Sequence, residues 1–246
     1  MRTQLNQEVE TDYRWWHKLV WRPTDALAAL LLPIVIPVVF YVSADFWQVI
    51  GILPSWAEFI LSQTPLALIA QYAISLLVEV GVIVWLSRLR RASFVDFGFK
   101  PAKTRWYFVA IVLYMVQILL IVGIFMLINK LIPAINTEEE QSVLEFGKSG
   151  WGFWLSFVSS VVVAPVIEEI VFRGIILIGL AKKFPLWVAA IISALAFALL
   201  HGQINVGIYT FIFGIILSYT YIRSGSIYPG IMAHFINNLI AFWLIS

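Results

Sequence analysis

Four places in the second half of this chain carry ionisable groups where the surrounding sequence is otherwise apolar. They are the pair Glu168-Glu169, then Arg173, His201 and His234. Carboxylates and imidazoles are the side chains that hold and move protons, and inside a bilayer each charge costs a few kcal/mol. An intramembrane ionisable residue is therefore a functional hypothesis by default. Spacing gives them faces: Glu169 and Arg173 are four apart and can pair on one side of a helix, while Glu168 is turned about 100° away, free to meet a cavity. Phe197 and His201 share the same spacing, as do His234 and Asn238.

Depth is the stronger signal. At about 1.5 Å of rise per residue, Glu168 lies roughly 21 Å from Lys182, at the basic end of its helix. On the same scale His201 lies roughly 22 Å from Leu186, and His234 and Asn238 roughly 12 and 18 Å from Ser226. Three separate segments thus bring polar groups to one slab near mid-membrane. Isolated structural histidines have no reason to converge in this way. Each residue also has a plainer reading. Glu169–Arg173 reads more simply as a structural ion pair, a lone histidine as an interhelical hydrogen bond, and Asn237-Asn238 as polar glue between helices. Glu79 is also mid-span and has no evident role; it lines a cavity or meets Arg173.

The elements that must position these groups follow from composition. The chain has 246 residues, 61% hydrophobic and 12% charged, with a mean hydropathy of +0.92. That is about half the charge of an average soluble domain, too little to cover a water-soluble globule. A soluble enzyme, a disordered chain and a nucleic-acid-binding module are excluded. The fold class is an all-α polytopic membrane protein, with about seven transmembrane helices plus an interfacial helix. A span needs about 20 apolar residues, which predicts spans near 24–43, 65–88, 106–132, 152–181, 186–202, 206–223 and 227–245. The stretch Phe46–Ser62, with Trp47, Pro54, Trp56 and Glu58, reads as interfacial. Residues 1–23 form a cytoplasmic or interfacial lead in which Trp15, Trp16 and Trp21 suit headgroup-level anchors. Residues 24–246 form one transmembrane domain, with its motifs at 150–245.

Alternating these spans places 14 of the 16 basic residues on one side, leaving Lys130 and Lys148 on the other. The positive-inside rule then puts the N-terminus in the cytoplasm and the C-terminus outside, as in a bacterial or archaeal plasma membrane. The acidic run Thr137–Gln141 falls in an outer loop and reads as a solvated face. With no cysteine, the chain has no disulfide, thiolate nucleophile or thiolate zinc ligand. Zinc held by a glutamate and two histidines is the rival chemistry, although no HExxH run is present. A transporter would also carry mid-bilayer charges, but matching broken helices in two halves are not found.

The residues resemble the CAAX protease and bacteriocin-processing enzymes (CPBP), relatives of the Ras-converting CAAX prenyl endopeptidases. A Glu-Glu-x-x-x-Arg motif matches Glu168 to Arg173, Phe-x-x-x-His matches Phe197 to His201, and His-x-x-x-Asn matches His234 to Asn238. All three occur in order on separate spans over residues 150–245. The resemblance implies an intramembrane endopeptidase, in which Glu168 is the general base and His201 helps hold and polarise its water. It gives His234 and Asn238 to an oxyanion hole, and makes Glu169, Arg173 and Phe197 supporting residues. It implies no cofactor, and a substrate that is a peptide or protein, lipidated or otherwise held at the membrane, such as a CAAX tail or a peptide precursor; the other partner is membrane lipid. It also admits non-enzymatic immunity or membrane-regulatory proteins of the same fold. By analogy the cavity opens to the cytoplasm, although His201 lies close enough to the outer loop for an outward vestibule.

Overall fold

The computed structural model describes residues 15–49, 54–62, 64–132, 146 and 149–245. The acidic run Thr137–Gln141, Lys148 and most of the N-terminal lead lie outside them. Helix α1 (Pro23–Val49) opens on a proline, whose missing N–H costs nothing in a first turn. The backbone N–H of Arg22 donates to Asp25 Oδ2 at 2.8 Å, and Asp25 also pairs with Arg90 at 2.8 Å, tying the start of α1 to the end of α3 (Pro65–Arg90). Pro33 and Pro37 lie within α1 without ending it. Between them runs α2 (Ser55–Leu61), at seven residues far too short to cross a bilayer. Its Ala57 and Ile60 are buried. The interfacial stretch expected over 46–62 is thus shared between the last turn of α1 and this short helix.

Helix α4 (Arg105–Leu131) follows a loop held by a single 3₁₀ turn, Phe94–Phe97. Helix α5 covers residues 150–181 and contains two wide π-helical stretches, Val158–Val163 and Ile170–Leu177. Then come α6 (Leu186–Leu199), α7 (Ile204–Ser224) and α8 (Tyr228–Ile245). A helix stands at each of the seven expected spans. Pro23–Ser43, α3, α4 and α7 are long and apolar enough by themselves to cross a membrane, whereas α6 is a shorter apolar helix. The expected span 186–202 ends early. Leu200 and His201 form a turn, and Gly202 takes φ +73°, a left-handed conformation that glycine adopts freely. His201 therefore sits just beyond its helix rather than within it.

The loops rich in Lys and Arg meet at one end of the bundle. Lys182 Nζ donates to the carbonyls of Trp16 and His17 at 3.2 and 2.7 Å. Lys100 Nζ lies 4.4 Å over the Trp15 ring, and the Trp15 indole N–H donates to the Ile222 carbonyl at 3.2 Å. One of the expected headgroup anchors, Trp21, is corrected here. Trp21 is fully buried against Phe97, and its indole N–H donates to the Asp96 carbonyl at 2.7 Å. Trp15 packs edge-on against Tyr221. An indole gains as much from such a protein pocket as from a lipid interface, because both offer an apolar wall and one acceptor. Behind this end lies the main core, where Trp21, Leu86, Phe172, Ile175, Phe197 and Tyr221 pack together.

Candidate active site

Two successive glutamates on α5 are sorted by their surroundings. Glu169 is fully buried, and its Oε1 lies 2.9 Å from Arg173 Nη1, one turn further on. Arg173 is equally buried; its Nη2 donates to the Gly214 carbonyl at 3.4 Å, and its guanidinium lies 4.8 Å over the Phe197 ring. The Nη1 approach is a charge contact without hydrogen-bond alignment, since that nitrogen, Nε and Glu169 Oε2 make no hydrogen bond among the described residues. The fit around Glu169 is tight. A Cβ on Gly230 would stand 2.9 Å from Glu169 Oε2, so α8 comes this close to α5 only because residue 230 is glycine. Glu168, by contrast, has 28% of its side chain accessible and faces a cavity of about 640 Å³.

His234 joins the two carboxylates. Its Nε2 is 3.3 Å from Glu168 Oε2, and its Nδ1 is 3.3 Å from Glu169 Oε1. The polar line therefore runs Arg173–Glu169–His234–Glu168, from the sealed core to the cavity wall. A neutral imidazole has one N–H and serves one carboxylate at a time; a protonated ring serves both. Spacing along the chain gave no hint of this bridge, because Glu168 and His234 lie on different helices. Phe197 fixes the ring from the side, with centroids 5.8 Å apart, and Phe213 does so at 5.3 Å.

His201 is placed by its own turn. Its Nδ1 is 2.8 Å from the Phe197 carbonyl. A carbonyl only accepts, so this contact puts the proton on Nδ1 and leaves Nε2 as the ring's acceptor. Its ring packs edge-on against Phe197 and lines the same cavity as Glu168, His234 and Asn238.

Asn238 is held by a backbone irregularity. In the π stretch the Ala164 N–H reaches the Ser159 carbonyl, five residues back. In that register the Ser160 carbonyl would pair with the N–H of residue 165, which is proline and has none. Asn238 Nδ2 takes its place, donating to the Ser160 carbonyl at 2.7 Å. Asn238 Oδ1 accepts from Asn237 Nδ2 at 2.9 Å, and Asn237 Oδ1 accepts from the Tyr209 hydroxyl. Tyr209 packs against the cluster that holds Tyr114. The amide of Asn238 is thereby fixed in orientation, with its second N–H free to serve a ligand. Tyr114, Tyr209 and Asn237 are residues that sequence reasoning missed or passed over as glue. The available signal was the stripe Asn205, Tyr209, Phe213, four residues apart on an otherwise apolar helix.

The cavity walls correct one expectation. Besides the polar groups they include Tyr72, Phe125, Ser159, Asn205 and Leu244. These lie far along their helices from the basic end: Leu244 sixteen residues beyond Tyr228, and Phe125 twenty beyond Arg105. At a helical rise that is about 24 and 30 Å. The cavity extends away from the basic loops, not toward them. Glu79 does not meet Arg173 and is not among the lining residues, but it stands within electrostatic reach of Glu168. Among the described residues no three His, Asp or Glu side chains are grouped to hold a metal ion.

Residues 150–240 match the family model of type II CAAX prenyl endopeptidase Rce1-like proteins. The match takes in α5, α6, α7 and most of α8, and with them every residue of the polar line. No curated protein and no solved structure matches the chain.

Proposed function

We propose, from the match of residues 150–240 to the Rce1-like family model, that this membrane protein is an intramembrane endopeptidase that hydrolyses a peptide bond with Glu168 as the base. One observation carries the assignment: of two adjacent glutamates, only Glu168 opens to the cavity, while Glu169 is spent on Arg173 and His234. A base must reach the proton that it removes.

Glu168 takes a proton from a water that His201 Nε2 also holds. The resulting hydroxide attacks the scissile carbonyl. The developing oxyanion accepts from the free N–H of Asn238 and from the Nε2–H of a protonated His234, whose Nδ1–H donates to Glu169. Glu168 then passes its proton to the leaving amine, and no covalent intermediate forms. Donors fixed before the substrate arrives cost no reorganisation during reaction, which is why such groups carry a large share of catalysis. Hydrolysis on this reading is independent of metal. Orientation follows the basic residues: N-terminus in the cytoplasm, C-terminus outside.

The test is cleavage of an internally quenched peptide by purified protein in lipid nanodiscs. Glu168→Gln should lower kcat by about 10²–10⁴-fold, the usual contribution of a general base, with unchanged thermal stability, since the side chain is accessible and isosteric. Exhaustive chelation should leave the wild-type rate as it was. An active Glu168→Gln protein, or stoichiometric zinc whose removal stops cleavage, would refute the mechanism.

A further inference from the structure

Two independent features fix the side from which a substrate can reach Glu168. The first is charge. Of the thirteen basic residues described, eleven lie at the end where the N-terminal segment, the 88–105 loop, the end of α5 and the end of α7 converge. Lys130 is at the other end, and Arg173 is buried within. Contacts between Lys182 and the Trp16 carbonyl, and between Lys100 and Trp15, join these loops into one surface. The positive-inside rule assigns that surface to the cytoplasm.

The second feature is packing on either side of the polar line. Toward the basic end the described side chains are closely packed. Arg173, Phe172, Ile175, Ile176, Leu177 and Tyr221 are each at most 3% exposed, and Trp21 closes the layer below them. Away from the basic end the helices part around the cavity, whose walls reach Asn205 and Leu244. Helix α6 contributes to this asymmetry. Its fourteen residues rise only about 21 Å, so the turn bearing His201 stops short of the far face of a hydrocarbon core about 30 Å thick. A sunken turn with irregular backbone is tolerated where it borders a wet cavity.

We infer that the cavity is entered from the extracytoplasmic side, and that the substrate is a peptide segment presented there: an exported peptide or the outer flank of a membrane protein. Ile118, Phe125, Ile240 and Leu244 on the walls favour apolar residues around the scissile bond. A tail displayed on the cytoplasmic face would have to cross the sealed core to reach Glu168. The access rests on charge and packing; that the entering peptide is cut rests on the endopeptidase reading above.

The chain has no cysteine, so single cysteines report without background. Val206→Cys and Ala241→Cys, both on the cavity wall and nearly isosteric, and Phe94→Cys, exposed at the basic end, would be made in the full chain. Intact cells would be treated with a membrane-impermeant sulfonated maleimide. Residues 206 and 241 should react from outside, at least tenfold faster than residue 94, which should react only after permeabilisation. Labelling of the two wall positions only after permeabilisation, labelling of them from neither side, or labelling of residue 94 from outside would each overturn the inference. Sealed right-side-out vesicles given an external quenched apolar peptide supply the second arm. They should cleave it, and their Glu168→Gln counterparts should not. Outside labelling with no cleavage would leave access standing and defeat the endopeptidase reading; cleavage only by inverted vesicles would defeat the access.

Discussion

Helices α3 and α4 differ from α5 and α7 in what surrounds them. Only 11% of the α3 span is buried within the protein, against 44% of the α7 span. Leu77 on α3 and Leu119 on α4 are 71% and 75% exposed, facing what would be lipid. For such a side chain, lipid is as good a solvent as another leucine, so apolar burial does little to hold these helices in place. Their fixed points are polar: the Asp25–Arg90 pair at the end of α3 and, midway along α4, Gln117 Nε2 donating to the Tyr209 carbonyl at 3.0 Å. In α5 to α8 the polar groups are internal, and several meet across helix boundaries: Arg173 with the Gly214 carbonyl, His234 with both glutamates, and Asn238 with the Ser160 carbonyl. The family match begins at residue 150, where this second kind of packing begins. The first half is not idle, because Tyr72, Tyr114 and Phe125 complete the cavity wall. The comparison teaches that the internal polar groups belong to one half and much of the enclosure to the other.

The largest expected break of this pattern, apart from loss of Glu168, is Arg173→Ala. Removing the guanidinium leaves Glu169 charged at zero exposure beside His234. Breaking a buried pair in this way costs about 3–5 kcal/mol. Thermal unfolding in detergent should fall sharply, with cleavage falling alongside. Unchanged stability with lost activity would mean that Arg173 touches substrate, and the pair is not structural.

A smaller effect is expected from Tyr209→Phe, which sharpens the comparison because it tests a contact from α7, through α8, to a carbonyl on α5. The hydroxyl is the donor to Asn237 Oδ1, and Asn237 in turn orients Asn238. Losing a whole oxyanion donor costs about 10²–10³ in kcat; losing only its orientation should cost about tenfold, with KM unchanged. In an Asn238→Ala background the same change should add nothing. Full additivity, or a change in KM alone, would show Tyr209 acting on the substrate directly.

Much of the fold was legible because a bilayer imposes a length and an apolar rule, and each of the seven expected spans holds a helix. The motif residues were legible because charge is costly there. Of them, Glu168, His201, His234, Asn238 and Phe197 line one cavity, while Glu169 and Arg173 stand behind it. What the sequence hid was relational. That His234 bridges both glutamates depends on the crossing of α5 and α8. The free Ser160 carbonyl depends on a π register that no periodicity announces, although Pro165 hinted at a missing donor. Trp21 looked like a lipid anchor because indoles favour interfaces, and its partner at Asp96 lies 75 residues away. The direction of the cavity was hidden for the same reason: depth can be counted along each helix, but the side on which helices part cannot.

The smallest effect should come from Leu119→Ala. Leu119 is 75% exposed on α4, and its truncation removes contacts that acyl chains replace. Its counterpart is Leu217→Ala on α7, where the side chain is fully buried beside Tyr114, Phe213 and Ala233. A buried Leu→Ala change leaves a cavity and costs about 2–5 kcal/mol. The Leu119 change should stay within about 0.5 kcal/mol, as substitutions outside a packed core do. The pair isolates location, since the chemical change is identical. Thermal melts of both variants in the same nanodiscs decide it. If the two lose equal stability, α4 is gripped by protein on its outer face as well, as it would be against a second copy of the chain, and the contrast between the halves would give way to a contrast between monomer and assembly.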